Sequence, residues 1–195
     1  MQGEYDVTQQ YPYQQIRAVF DKTTIRVYQA YSELIADSAI ENGTFVSPPF
    51  KIDRMTWIKP SFLWMMYRSG WGYKDAGQKR ILAIDISRDG FEWALTHGCL
   101  TRPESDMSPE EWKQHIKKSP VRIQWDPERN LKLQPLPYRT IQIGLSREAV
   151  RHYIGQWIEH ITDITSLAHK INMLVQAGDL SNAQDLLPVE KPYPS

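Results

Sequence analysis

The chain has 195 residues, 41% of them apolar and 24% charged, and its formal net charge is zero. This balance excludes a disordered chain and provides for one hydrophobic core. A neutral chain lacks a general attraction for nucleic acid or anionic lipid, so either partner would require a local basic patch. No apolar stretch approaches the roughly 18 residues of a membrane span. Cys99 is the single cysteine, so we expect a cytoplasmic protein without a membrane partner.

The first third of the chain predicts two strands followed by a helix. Residues 16–20 and 24–28 are separated by an Asp-Lys turn, which favours a pair of short strands. Ser32 is a suitable helix cap, and Gly43 ends the helix after apolar residues at helical spacing. Further elements predicted along the chain are a short buried helix over 62–68, strands over 80–86, 121–125 and 140–145, and helices over 88–98 and 108–118.

The last third predicts a long C-terminal helix. Apolar residues recur with a period of about 3.6 from Ser146 to residue 175, with a break near Thr162. No glycine-rich turn leads from a strand into a helix, which argues against a Rossmann or P-loop domain. We predict a single α+β domain over 1–187, with small mixed or antiparallel sheets packed against helices, and a flexible tail over 188–195.

Arg26 and Tyr28 are the first candidate binding residues. In a strand they share one face, while Ile25 and Val27 share the other and belong to a core. A guanidinium suits a phosphate or carboxylate, and a phenol can cover a ring. The alternative is a solvated strand face with a salt bridge.

A second candidate site precedes the predicted buried helix. Trp57, Lys59 and Ser61 lie where backbone N–H groups at a helix N-terminus, helped by Lys59, can receive a phosphate. The alternative is that Ser61 only caps the helix and Trp57 only packs.

A third candidate combines a carboxylate with a basic region. Glu128 follows Trp125 near a strand end, which suits a catalytic acid, base or cation stabiliser. Basic residues surround Glu128 in the sequence. They form either a solvated face or a groove for nucleic acid that some of the seven tryptophans line. The candidate nucleic-acid ligands in this groove are Lys117, Lys118, Arg122 and Arg129. The sequence has no CxxC or HExxH motif, so we expect no metal.

Three motifs resemble domain-of-unknown-function family 4291, over nearly the whole chain from about Tyr13. They are Ile-Arg-Val-Tyr-Gln-Ala-Tyr at 25–31, Trp-Ile-Lys-Pro-Ser-Phe-Leu-Trp-Met at 57–65, and Gln-Trp-Asp-Pro-Glu-Arg at 124–129. The family name implies no function.

The order of Arg26, the helix, Gly43 and Phe45 also resembles the start of ADP-ribosyltransferases. That resemblance implies an ADP-ribosyltransferase-like fold and NAD as the substrate, with Arg26 holding the dinucleotide and Glu128 as the late catalytic carboxylate. The resemblance also implies that Tyr28, Trp57 or Tyr67 stacks on the nicotinamide. Lys59 and Ser61, the phosphate-binding candidates named above, complete the predicted NAD contacts. The chain lacks the Ser-Thr-Ser triplet and the Glu-x-Glu pair of such enzymes.

Two functions follow as hypotheses. One is a glycosyltransferase that moves ADP-ribose from NAD to a nucleic-acid or protein acceptor. The other is a non-catalytic nucleic-acid-binding module with a basic, tryptophan-lined groove.

Overall fold

Nine strands and seven helices are formed by the residues that the computed structural model describes, 11–103 and 107–194. Residues 1–10 and 104–106 of the predicted domain and Ser195 of the predicted tail lie outside these ranges. The strands are β1 (Arg17–Ala18), β2 (Thr24–Tyr31), β3 (Thr56–Ile58), β4 (Arg80–Ser87), β5 (Gly98–Leu100), β6 (Val121–Arg129), β7 (Pro135–Leu145), β8 (Ile158–Asp163) and β9 (Lys191–Pro192). The helices are α1 (Glu33–Asn42), α2 (Phe62–Ser69), α3 (Arg88–Thr96), α4 (Pro109–Lys118), α5 (Glu148–His152), α6 (Thr165–Gln176) and α7 (Leu180–Asp185).

The strands of the described residues pair into three sheets, in the orders β1–β9, β2–β4–β8 and β3–β7–β6–β5. Their pairings are antiparallel except for the parallel pair β5–β6. The two larger sheets meet where the backbone N–H of Tyr28 donates to the carbonyl of Lys59 at 2.7 Å. The predicted α+β class with small sheets packed against helices is confirmed.

Strand β2 separates two hydrophobic clusters. Ile25 and Val27 belong to the larger cluster, which also contains apolar residues of α1, α3 and β4. Tyr28 points the other way and packs with Phe62 of α2 and with α6. A strand that is apolar on both faces is typical of the centre of a fold. The sequence predicts which side chains of β2 face the same cluster, because successive residues of a strand alternate between its two faces.

Local signals correctly predicted the ends of several helices. Gly43 ends α1 with a φ of 68°, a conformation that costs glycine little. Ser61 caps α2, because its Oγ accepts a hydrogen bond from the N–H of Trp64 at 3.1 Å. Ser108 and Glu111 form a capping box at the start of α4.

The predicted long C-terminal helix is interrupted. Residues 153–157 form a π-helical turn, residues 158–163 form strand β8, and the helix resumes only as α6. Ile158 and Ile161 are three residues apart, which suits a helix, yet they pair with Ile86 and Ile84 of β4. A β-bulge accommodates the extra residue, so an irregular strand imitates the spacing of a helix.

The predicted flexible tail is replaced by ordered contacts over the described residues 188–194. β9 pairs with β1, and the ring of Tyr193 is buried between Phe20 and Phe91. The hydroxyl of Tyr193 accepts from Arg88 at 3.0 Å and donates to Glu92 at 2.8 Å. The chain end is therefore fastened to the beginning of the domain.

We predict that Gly90→Ala destabilises the fold, whereas Gly155→Ala does not. A Cβ at Gly90 would lie 2.4 Å from Cγ of Trp157, while a Cβ at Gly155 has no neighbour within 4 Å. Overpacking of this kind costs about 1–3 kcal/mol of unfolding free energy. Urea denaturation of the two variants checks the difference, and equal midpoints would contradict the packing of Trp157 on α3.

Candidate functional site

The outer face of the four-stranded sheet is polar. Along β6, Ile123 and Trp125 pack against the larger cluster, so Gln124 and Asp126 lie on the opposite face. On the neighbouring strand β7, Gln142 pairs with Gln124 and lies on the same face. A sheet face lined with amides and a carboxylate is poorly suited to packing, and it is available for recognition.

Helix α2 crosses this face and closes a pocket of about 380 Å³ against the strands. This volume is in the range of small-molecule sites. The pocket is lined by residues from β2, β3, α2, β6 and β7, among them Gln29, Thr56, Trp57, Lys59, Met65, Arg68, Gln124 and Gln142. We call it the α2 pocket.

Asp126 is held beside the α2 pocket by two amides. Gln124 Nε2 donates to one carboxylate oxygen at 2.9 Å, and Gln142 Nε2 donates to the other at 2.7 Å. Each oxygen thus accepts from a neutral donor, and Asp126 takes part in none of the ion pairs formed by the described residues. Asp126 is thus an oriented negative group at the edge of the pocket.

Lys59 lines the α2 pocket and is only 6% exposed. Its Nζ donates to the carbonyl of Trp57 at 3.0 Å and lies 5.6 Å from the centre of the Trp64 ring. Burial, followed by repulsion from Arg68, lowers the pKa of the Lys59 amine to about 7, against an opposing effect of Asp126.

Trp57 and Gln29 complete the wall. Gly144 of β7 leaves room for the indole of Trp57, since a Cβ there would lie 2.9 Å from Cζ2 of the ring. Gln29 Nε2 donates to Thr56 Oγ1 at 2.7 Å, and its Oε1 accepts from Tyr153 at 2.7 Å. The amide of Gln29 is therefore immobilised where the two larger sheets meet.

A model of the family described as "Domain of unknown function (DUF4291)" matches residues 15–193. The chain belongs to this family. The predicted family resemblance is thereby confirmed. Among curated proteins no match is found.

The three DUF4291 motifs named from the sequence converge on the α2 pocket. The first contributes Gln29, the second contributes Trp57 and Lys59, and the third contributes Gln124. The tertiary structure thus brings together three segments that are far apart along the chain. This convergence makes the pocket the candidate functional site of the DUF4291 domain.

The predicted pair Arg26 and Tyr28 lies outside the lining of this pocket. Arg26 makes a two-point ion pair with Asp85 of β4, in which both N···O distances are 2.7 Å. Tyr28 is fully buried under Phe62, and its hydroxyl has no hydrogen-bond partner among the described residues. The two side chains share a strand face, as expected, but that face is covered by α2.

Ser61 and Glu128 form a second polar cluster at the start of α2. Ser61 Oγ donates to Glu128 Oε1 at 2.8 Å, and Glu128 is 7% exposed. A second carboxyl joins them, because Glu190 Oε1 accepts from the backbone N–H of Phe62 at 2.7 Å. Burial raises the pKa of Glu128, and burial together with the Glu128 carboxylate raises the pKa of Glu190 to about 8.

The predicted nucleic-acid ligands divide between two ends of the molecule. Lys117 and Lys118 are exposed at the end of α4, and Arg122 donates to the Ser119 carbonyl beside them at 2.8 Å. Arg129 lies at the other end of β6, roughly 20 Å away for seven residues of strand. Its guanidinium lies 3.6 Å from the ring centre of Tyr67, which is 43% exposed on α2.

Sequence reasoning missed several residues of the site. Arg68 ends the predicted buried helix as a charged residue, which is an exception to the local pattern and a signal for a functional residue. Gln124 and Gln142 alternate with apolar residues along β6 and β7, so the local pattern shows only that they lie on the polar face. Glu190 carried no such signal, because its partners lie far away in sequence.

We predict that Glu190→Gln makes stability less dependent on pH. The folded-state pKa near 8 exceeds the ordinary value of 4.5, so the unfolded chain loses this proton first as pH rises. Stability from the protonated group is complete at low pH and is lost between about pH 4.5 and pH 8. Gln keeps the acceptor for Phe62 and avoids this loss.

The difference in free energy of unfolding between the variant and the wild type should therefore be larger at pH 8 than at pH 5. The change in this difference should be on the order of 1–2 kcal/mol in favour of the variant. Urea denaturation at both pH values measures the gain. The exposed Glu41→Gln serves as the control and should follow the wild type. If the free energies of unfolding of Glu190→Gln and the wild type change equally with pH, the carboxyl pair is not coupled to folding.

Proposed function

We propose that this DUF4291 domain transfers ADP-ribose from NAD and binds NAD in the α2 pocket. The observation that carries the proposal is an aromatic ring and a cation in one pocket, with an oriented carboxylate behind its wall. Trp57 of β3 and Arg68 of α2 line the pocket. Asp126 of β6 accepts hydrogen bonds from Gln124 and Gln142, which line it too. These are the groups that cleavage of the nicotinamide–ribose bond requires.

Each group has a distinct role in this proposal. Arg68 supplies a permanent positive charge for the pyrophosphate, because a guanidinium stays protonated and offers several donors. The face of the Trp57 indole packs on the nicotinamide ring. A fixed carboxylate stabilises the positive charge that develops on the ribose as the bond to nicotinamide breaks.

Asp126 suits the last role better than Glu128 does. Glu128 is enclosed with Ser61 at the start of α2, and its raised pKa favours the uncharged acid. The two carboxylate oxygens of Asp126 accept from two neutral amides of the described residues, and these hydrogen bonds fix the direction of the carboxylate. In this arrangement, Arg26, Tyr28 and Ser61 support the pocket through β2 and α2, and Tyr67 lies on the outer side of α2 toward the acceptor.

We predict that Trp57→Ala and Arg68→Ala each weaken NAD binding about tenfold or more. Loss of a charge-assisted hydrogen bond costs about 1.5–3 kcal/mol, and each 1.4 kcal/mol corresponds to a factor of ten. Isothermal titration calorimetry with NAD measures the dissociation constants. Arg151→Ala is the control for Arg68→Ala, because this arginine is exposed on α5, does not line the pocket, and makes the same change of charge.

Asp126→Asn tests the chemical step. It should leave NAD binding within about threefold and slow the release of nicotinamide by roughly a hundredfold or more. Absence of NAD binding by the wild-type protein would overturn the proposed function.

A nucleic-acid-binding surface is the second candidate, and one observation favours it. Arg147 donates to the backbone carbonyls of Lys117 and Lys118 at 2.7 and 3.1 Å. This contact places the charge of Arg147 close to the two lysines at the end of α4. Arg122 lies next to this group. A local basic patch therefore exists on a chain without net charge.

We predict that nucleic acid bound at this patch is released by salt and by Lys117→Ala with Lys118→Ala. Two phosphate contacts fewer reduce the slope of log affinity against log salt by about 1.4–1.8. Fluorescence anisotropy with single- and double-stranded oligonucleotides measures this slope. Lys74→Ala with Lys79→Ala removes the same charge elsewhere and should not change it. Affinity that is independent of salt excludes this function.

A further inference from the structure

Lys59 is the only buried lysine among the described residues, and the roles assigned above leave its amine unused. It lies in the wall of the α2 pocket, two residues after Trp57 and on the same face of the strand. A buried amine in a binding pocket is a candidate for chemistry, because it can change its protonation state where a guanidinium cannot.

The contacts of Lys59 suit a neutral amine. Its Nζ has one hydrogen-bond acceptor, the Trp57 carbonyl at 3.0 Å, and no described carboxylate lies within 4 Å to form an ion pair. An ammonium group has three protons to donate, so full charge here would leave donors unsatisfied. The neutral amine instead has a lone pair that can accept a proton.

The charges that face Lys59 come from two elements. Arg68 of α2 repels the ammonium form, and Asp126 of β6 attracts it more weakly. The two carboxylate oxygens of Asp126 already accept from Gln124 and Gln142, and the remaining polar side chains that line the pocket are amides and hydroxyls. With a pKa of about 7, a substantial fraction of Lys59 is neutral near neutral pH and can accept a proton.

We propose that Lys59 is the general base that deprotonates the acceptor during the transfer. This inference rests on the proposed function and names a class of acceptor: one whose attacking atom carries a proton, such as a hydroxyl or an amine. A carboxylate acceptor would need no such base.

The transfer of ADP-ribose to the acceptor conserves atoms and charge. The acceptor oxygen or nitrogen forms a bond to C1′ of the ribose, while the bond from C1′ to the nicotinamide nitrogen breaks. Nicotinamide leaves with the electron pair and becomes neutral. The proton of the acceptor moves to Nζ of Lys59, which becomes an ammonium and later returns the proton to water.

The charge of the nicotinamide ring assists this sequence, whereas the pyrophosphate at Arg68 opposes it. Before the transfer, the positive ring on Trp57 repels the ammonium form of Lys59. After neutral nicotinamide leaves, the same amine is easier to protonate. The base is thus deprotonated when the acceptor arrives and accepts the proton when the bond breaks.

The first experiment measures the amine directly and does not depend on NAD. Lysine labelled with ¹³C at Cε reports the protonation of each lysine by NMR, and Lys59→Arg identifies the signal. We expect the Lys59 signal to titrate near pH 7, in agreement with its lowered pKa. A midpoint above about pH 9 overturns the proposal.

The second experiment uses water as the acceptor and follows release of nicotinamide from NAD. Lys59→Met should lower this rate by about 10²–10⁴-fold at pH 8, the usual contribution of a general base. It should also remove the rise of rate with pH near neutrality. Calorimetry should show NAD affinity within about threefold of the wild type, which separates this loss from a failure to bind.

The outcomes distinguish the two proposals. A wild-type protein that binds NAD and releases nicotinamide, with an equally active and folded Lys59→Met variant, overturns the role of Lys59 alone. A wild-type protein that binds no NAD overturns the proposed function and this inference with it. A Lys59→Met variant whose circular dichroism spectrum matches the wild type, but whose rate is lost without a change in affinity, supports both.

Discussion

One backbone hydrogen bond holds the candidate site together. The N–H of Tyr28 donates to the carbonyl of Lys59 at 2.7 Å, and this contact joins the three-stranded sheet to the four-stranded sheet. Next to it, the side chain of Gln29 donates to Thr56 Oγ1. The α2 pocket lies at this junction, because residues of both β2 and β3 line it.

The same constraint explains why α2 lies where it does. Its first turn is fastened by Ser61 and by the carboxyl of Glu190, and its apolar side packs on Tyr28. The exposed end of the helix then carries Arg68 over the polar sheet face. The C-terminal segment therefore contributes to the site indirectly, by holding the helix that forms its roof.

Arg26 shows how a residue can share a motif with the site and lie outside it. Its ion pair with Asp85 bridges β2 and β4, and both partners are partly shielded from water. Such a pair aligns two central strands and leaves few donors for a ligand. Glu128 is likewise occupied by Ser61 and by the N–H of Arg129. In our proposal Trp57 and Lys59 remain site residues as the sequence predicts, whereas Asp126 takes the place of Glu128, its neighbour on β6.

Residues close along the chain were sufficient to predict the α+β class, the ends of α1, α2 and α4, and the segments that contribute to the pocket, because caps, turns and strand alternation are local. Residues 158–163 form a strand for a reason that is not local: their spacing suits a helix, and they become a strand because they pair with β4 through a bulge. The tertiary structure also decided which polar side chains share a pocket and placed Glu190 beside Glu128. Contacts between distant segments depend on how sheets and helices pack, and no local pattern records them.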